Sequence, residues 1–528
     1  MALSKLGKIC GSCLTLIGIF FFSLSLADAA TPQVEFDVST FAIEGDNRLD
    51  AKTTDTVLAD FLGHHQGLEK LLAAAKALEE AHAKQGYAFH RVQLPPQTMN
   101  KGVIRLNVIA FKLGEARITG SEYFSDEHIL QSLPSLKPQA RLNTHEIARE
   151  LLLANRHPSR EHIINIKKGQ AEDTVDAEVK IKDSRPYFGF VGINNIGTEQ
   201  TGRVRLTGGG QHTNLFGKDD VFTASYTTSQ KYPEDVKQYG LSYSIPIYKL
   251  ASQVSMFYSS SDVDSGTINS LDISGAGQFL GFNVNHILLS RGNYSHEVNV
   301  GLMDKLFTND ALFSGINLSS DVRSRPLFLS YVGHYKTDVI QTGMSASFNI
   351  NTGAGGKNSD DEYAANRIEA DTNWQRWNVS AYVNYFLSND WLLRGLVDAQ
   401  LTNDALIPGE QFGLGGMNSV RGFEERSVAS DSGARLSAEL WTPPIKSLKD
   451  LRLLGFIDYG YMDREAVQPG EENSDSIMSV GVGARWNWEK HINLALDYGY
   501  VINEAEHLRD TTADYGNAKV HINLLLRF

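Results

Sequence analysis

VHINLLLRF, residues 520–528, ends the chain and sets the question of its fold. Successive side chains of a strand point to opposite faces. Val520, Ile522, Leu524, Leu526 and Phe528 therefore share one fully apolar face, with His521, Asn523 and Arg527 on the other. The same dyad recurs upstream. Tyr239, Leu241, Tyr243, Ile245 and Ile247 oppose Ser242 and Ser244, and Ile492, Leu494, Leu496, Tyr498 and Tyr500 oppose Asn493, Asp497 and Gly499. Val480, Val482, Ala484, Trp486 and Trp488 make a third such face. From Pro186 onward no helical period is evident, and segments of about ten residues follow one another, the length of a tilted membrane strand. A soluble β-sandwich would turn the apolar faces into a core. Here the alternating region is longer than a usual sandwich, and its opposite faces carry small and charged residues, which suit a wet lumen. The expected fold is a membrane β-barrel.

Bulk properties agree. The chain has 528 residues, a formal charge of −13 and a mean hydropathy of −0.25. No dense basic stretch suggests a nucleic-acid surface. Past residue 29 no run of 18 apolar residues occurs, so a membrane-spanning role has to fall to strands. Residues 1–29 read as a secretory signal peptide, with Lys5 and Lys8, the apolar run Leu14–Leu26, and Ala27-Asp28-Ala29 as a small-residue cleavage site. Cleavage there would remove Cys10 and Cys13, the only cysteines.

Between Val34 and about Asp183 the pattern alternates between strand and helix. Phe36, Val38 and Phe41 to Ile43 predict an opening strand. Leu68, Leu71, Leu72, Ala75 and Leu78 recur at helical spacing, and strands follow at 89–94 and 103–111. The order then repeats. A strand at 115–120 precedes a helix with Ile129, Leu130 and Leu133. A second helix, opened by an Asn143/Glu146 capping box, carries Ile147, Leu151 and Leu152, and strands follow at 162–166 and 175–181. Each unit reads β-α-α-β-β, which by itself fits any pair of small α+β domains.

Four stretches carry a family resemblance: QFGLGGMNSVRGFEERSVASDSGARLSAEL (411–440), GFIDYGY (455–461), NLFGKDD (214–220) and QGYAFHRVQLPPQ (85–97). Together the chain resembles the two-partner secretion transporters, the haemolysin secretion/activation family of outer-membrane proteins in the POTRA-plus-barrel superfamily. The resemblance covers nearly all of the chain beyond the signal segment. It implies a barrel of 16 antiparallel strands preceded by two periplasmic α+β POTRA domains. The expected bounds are 1–29 signal peptide, 30–112 first POTRA domain, 113–183 second, and 184–528 barrel, with a lumen-folded loop at about 402–433. NLFGKDD looks like the family's first barrel hairpin.

In this superfamily the loop is the sixth extracellular one, and its arginine meets an aspartate on the inner wall. The matching residues are Arg421, within Val420-Arg421-Gly422-Phe423, and Asp458. In FIDYGY the apolar Ile457, Tyr459 and Tyr461 belong on the lipid face, which turns Asp458 into the lumen with Phe456 and Gly460. A carboxylate there can take a bidentate guanidinium. Gly415, Gly416 and Gly422 let the loop backbone turn in a crowded interior. Glu439 on the following strand is an alternative partner. Some family members carry an N-terminal plug helix. Here only Ala30–Gln33 would precede the first strand after cleavage, too few residues for a helix. The loop is therefore expected to be the main obstruction in the pore. Phe528 matches the terminal aromatic of the barrel-assembly signal.

No catalytic, cofactor or metal set stands out. THEIARE (144–150) lacks the second histidine of a zinc-protease helix, GAGGKN (353–358) lacks the frame of a phosphate loop and reads as an extracellular loop, and His64-His65 reads as a polar loop. The resemblance implies a channel exporting a large adhesin- or haemolysin-like exoprotein. Its partners would be that unfolded client, outer-membrane lipids and the barrel assembly machinery, with no nucleic acid. An assembly insertase shares the POTRA domains and the loop. A passive porin would need no POTRA domain.

Overall fold

The computed structural model describes residues 35–98, 101–262, 265–268, 271–274, 276–308, 312–313, 316–317, 321–467, 472–489, 491–505 and 516–528. The signal-peptide reading and the Ala30–Gln33 argument lie outside these residues. The chain forms two compact bodies, one from residues up to Ala81 with Val92–Val108, the other from His82–Arg91 and Ile109–Phe528.

In the first α/β unit Thr40–Gly45 runs parallel to Val103–Ala110, and His90–Gln93 completes a three-stranded sheet. The helix Glu69–Lys84 covers it. Its buried side is Leu71, Ala74, Ala75 and Leu78, while Leu68 and Leu72 are exposed, contrary to the expected face. The small alanines let the helix lie close to the sheet but signal weakly in a hydropathy pattern. A helix at Ala51–Leu58, capped by Asp50, has no counterpart in the sequence reading because it is short and buries only Thr54 and Leu58. His64-His65 is not a loop. It sits in Gly63–Gln66, an antiparallel partner of Glu35–Val38, where buried His65 bonds the Phe61 carbonyl at 2.7 Å.

The second α/β unit has the sheet Lys112–Thr119, Thr174–Asp183, Arg160–Lys168, with the last strand on an edge. Its helices are Asp126–Gln131 and Thr144–Ala154, the latter capped by the Asn143 side chain, which accepts from His145 and Glu146 N–H. Ile147, Leu153 and Ala154 are buried and Leu152 is exposed, one residue out of phase with the expected face.

Beyond Tyr187 sixteen antiparallel strands close into a barrel. Strand eight is interrupted between Val322–Ser324 and Pro326–Lys336, both of which pair with Tyr294–Phe307. The first strand, Tyr187–Asn194, pairs with the last, Ala518–Arg527, to close the wall. That seam has five residue pairs, Asn523↔Asn194 to Arg527↔Phe190. It is extended by Asn195, which bonds the Val520 carbonyl and the Ile522 N–H, and by the reciprocal Phe528–Gly189 backbone bonds at 3.0 Å. The dyads sort as a lipid-embedded barrel requires. Val520, Ile522, Tyr239, Leu241, Val482 and Tyr498 face outward, while His521 and Asp497 are buried on the inside. One helix, Asp360–Asn366, breaks the expectation that helices end at Pro186; it lies in the loop after Ile340–Asn351.

Candidate functional site: the loop seated in the lumen

The loop between strands eleven (Leu392–Leu401) and twelve (Ser432–Trp441) is built as a hairpin. Phe412–Leu414 pairs with Val428–Ser430, and the tip between them folds on itself through Gly416 N–H to the Val420 carbonyl at 3.2 Å. Gly415, Gly416 and Gly422 have φ of +100°, +108° and +98°, where a side chain is strained. A Cβ on Gly416 would collide with the Glu425 carboxylate, which accepts from the Met417 N–H at 2.7 Å.

The tip is fixed in two ways. Leu414, Val420, Phe423 and Val428 are buried together with Met462, Ile477 and Val501 of the wall. Beside them Arg421, 4% exposed, binds Asp458, 0% exposed, through three donors: Nε at 2.7 Å, Nη2 at 2.8 Å and its own backbone N–H at 3.1 Å. Asp458 lies on strand thirteen, Arg452–Asp463, with Phe456 and Gly460 on the inner side and Ile457 and Tyr461 outward. Ser437 donates to Asp458 at 2.6 Å. Glu439 is engaged as well as Asp458, at 2.8 Å from Arg421 Nη1, and Asp497 stands at 3.5 Å. The guanidinium carbon is 3.5 Å from the Phe456 ring centroid. Arg485 holds Asp497 through two 2.9 Å bonds, so a second guanidinium helps balance the three buried carboxylates. Without such pairing, charges this buried would be very costly.

Several members of this site were not singled out from sequence. Gly499 is one: a Cβ there would stand 2.5 Å from Gly422 N and 2.7 Å from Arg421 C, so the loop backbone rests directly on the wall. His521 accepts from the Gly422 N–H at 3.0 Å. Higher up, Asp431 at the loop's return takes both Arg367 terminal nitrogens, the Leu406 N–H at 2.8 Å and the Glu465 N–H at 2.8 Å. Buried Glu410 pairs with Lys305 and Arg376, each at 2.9 Å. Arg367 follows the short helix Asp360–Asn366, so the preceding extracellular loop is tied to the same base. The GAGGKN segment belongs to that loop. Gly499 and His521 lie on polar strand faces, which the alternation does reveal; that they touch Gly422 is a matter of barrel closure.

The chain matches the family model described as haemolysin secretion/activation protein ShlB/FhaC/HecB over residues 174–486, and the model for the ShlB-type POTRA domain over 36–110. It is 25% identical over 448 residues to the outer membrane transporter CdiB of Escherichia coli, covering 82% of this chain and 74% of that one. It is 22% identical over 441 residues to the heme/hemopexin transporter protein HuxB of Haemophilus influenzae, covering 81% and 76%. Among solved structures it resembles CdiB from Escherichia coli, with a TM-score of 0.79 at 21% identity over 95% of this chain and 92% of that one. CdiB from Acinetobacter baumannii gives 0.72 at 15% identity over 94% and 90%. A closed 16-stranded barrel behind POTRA domains, with a family match across more than half of its residues, places the chain in one group: it belongs to the haemolysin secretion/activation family ShlB/FhaC/HecB, the outer-membrane transporters of two-partner secretion.

Proposed function

We propose that this transporter exports one large exoprotein, adhesin- or haemolysin-like, and that the structure is its resting, plugged state. The observation that carries the reading is the loop seated in the lumen by Arg421 and Asp458. A passive porin would keep its pore open, whereas a pore for an unfolded chain must be closed between uses. In this reading Val420 and Phe423 anchor the tip in its apolar seat, Arg421 and Asp458 set its register, and Gly415, Gly416 and Gly422 supply the turns. Release of the loop would open a lumen lined by polar side chains.

Capture of the client falls to the α/β units. The strand Arg160–Lys168 lies at a sheet edge and carries exposed Ile163. An extended client can add there by backbone hydrogen bonding, which reads little sequence, while a side-chain contact such as Ile163 adds preference. The outward apolar belt would be covered by outer-membrane lipid. Insertion would use the cell's barrel assembly machinery, with Phe528 at the recognised terminus. No step in this reading is catalytic, and no cofactor is assigned to it. The test is a comparison of the culture medium with and without the gene. Export predicts the disappearance of one large protein. Loss of many outer-membrane barrels would instead mark an insertase.

A further inference from the structure

The turn between strands two (Arg205–His212) and three (Val221–Ser229) does not hang in solvent. It enters the second α/β unit, and Asp219 is its probe, with φ +58° and a side chain only 3% exposed. Its Oδ1 accepts from His128 Nε2 at 2.5 Å. Its Oδ2 accepts from the Arg160 guanidinium and from the Tyr248 hydroxyl at 2.7 Å. Arg160 has no exposed side-chain surface and lies 4.5 Å from the Phe124 ring centroid. The surroundings are equally specific. Thr213 Oγ1 donates to Ser159 Oγ at 2.9 Å, and His157 Nε2 donates to the Thr213 carbonyl at 2.5 Å. Arg156 reaches Asn285 at 2.9 Å and pairs with Glu297, while Leu153 packs on Ala251 and Ile287. Three periplasmic turns or strand ends are thus gripped by one domain.

Chain connectivity alone already ties this unit to the barrel through Ser184–Pro186. A buried carboxylate matched to an arginine, a histidine and a tyrosine adds nothing to a tether but fixes an orientation, because each donor must be in place for the charge to be tolerated. The geometry points to Asp219 as a positioning residue for export: it holds the second POTRA domain at one setting on the periplasmic rim, so that the edge strand Arg160–Lys168 meets the barrel at a constant distance and direction. The strand begins at the very residue that grips Asp219, and Ile163 stands about 10 Å further along it at ~3.3 Å per residue. A client segment added to that edge would be presented at a fixed offset from the barrel rim. This inference rests on the export reading above.

The joint is tested first without any client. Nitroxide labels on Ile163→Cys and Val339→Cys, with Cys10 and Cys13 replaced by serine, report the domain-to-barrel distance in purified protein. One narrow distance is expected, and Asp219→Asn should spread it over many ångströms. The second readout is secretion of whichever exoprotein vanishes from the medium when the gene is deleted. Asp219→Asn should lower it several-fold at an unchanged level of folded barrel. A Ser159→Cys/Thr213→Cys disulfide in the Asp219→Asn chain should restore it, and the same disulfide with Asp219 intact should leave export normal. The proposal is overturned if Asp219→Asn keeps the narrow distance, if it secretes normally, or if the disulfide fails to rescue it. It is also overturned if the disulfide stops export in the intact chain and reductant restores it, since the joint would then have to open. That last arm holds even if Asp219→Asn does not assemble. A labelled joint that behaves as expected in a cell that exports nothing would count against the export reading alone.

Discussion

Replacing Arg421 by alanine removes two donors from Asp458 and one from Glu439, yet leaves Leu414, Val420 and Phe423 in their apolar seat. The backbone N–H bond to Asp458 survives, so the guanidinium carries the change. Stripping one partner from a buried charge pair costs roughly 3–5 kcal/mol. The apolar residues retain about 1.5–3 kcal/mol each as an upper figure. The loop should therefore stay mostly seated but leave far more often. At 1.4 kcal/mol per tenfold, the seated-to-released ratio falls on the order of 10²–10³-fold. In planar bilayers this appears as frequent open bursts from a channel that is otherwise mostly closed, at wild-type amounts of folded barrel. Asp458→Ala leaves Arg421 with Glu439 and Asp497, so its effect should be smaller. The double variant should fall short of the sum of the two, because removing both partners relieves the unpaired charge. Unchanged burst frequency in both single variants would refute the claim that this contact holds the loop.

Three further outcomes are expected. Gly499→Ala puts a methyl 2.5 Å from Gly422 N, so it should unseat the loop with an effect comparable to Arg421→Ala although no charge is touched; a closed channel would show that the loop does not rest there. Deleting Phe528 removes the reciprocal bonds to Gly189 and the ring packed over it, at a seam of only five pairs, and should lower the heat-modifiable folded band; a full band would contradict its role in closure. His157 and His162 are pushed down to about 4, by burial first and by Arg160 second, while His128, Tyr248 and Arg160 hold the Asp219 carboxyl below the usual range against the upward push of burial. Undocking takes His157 off the Thr213 carbonyl, so it would bind a proton from about pH 6.5 down, whereas His162 stays against Ser132 and Asn155 of its own domain. Docking is therefore fully stable above that, weakens as pH falls towards 4, and loses at most about 3 kcal/mol through His157, which limited proteolysis of residues 112–183 between pH 7 and 4.5 would reveal. Constant protease resistance over that range would contradict the assignment.

The barrel was readable because period-two alternation survives in every quoted strand, and FIDYGY turned Asp458 inward before any contact was known. The convergence around it was not. Arg421, Glu439, Asp458, Asp497 and His521 come from the loop and four different strands, and alternation assigns a face but not a neighbour across a closed wall. The family resemblance paired Arg421 with Asp458, and strand position offered Glu439 as an alternative partner, whereas the site uses both. The Asp431–Arg367 tie had no signal at all, because irregular loops carry no period. The helix Asp360–Asn366 has only its Ser359/Glu362 capping box to announce it over seven residues. In the first α/β unit the exposed Leu68 and Leu72 outweighed the buried Ala74 in the pattern, so size misled where packing needed a small residue.

The central claim is export of a single partner, and quantitative proteomics of medium and outer membrane in a gene deletion tests it most directly, with a chain lacking residues 34–111 as the companion strain. The account predicts that one large exoprotein leaves the medium in both strains, that the other outer-membrane barrels keep their levels, and that the truncated chain still inserts. An unchanged medium, or a general fall in outer-membrane barrels, would contradict it.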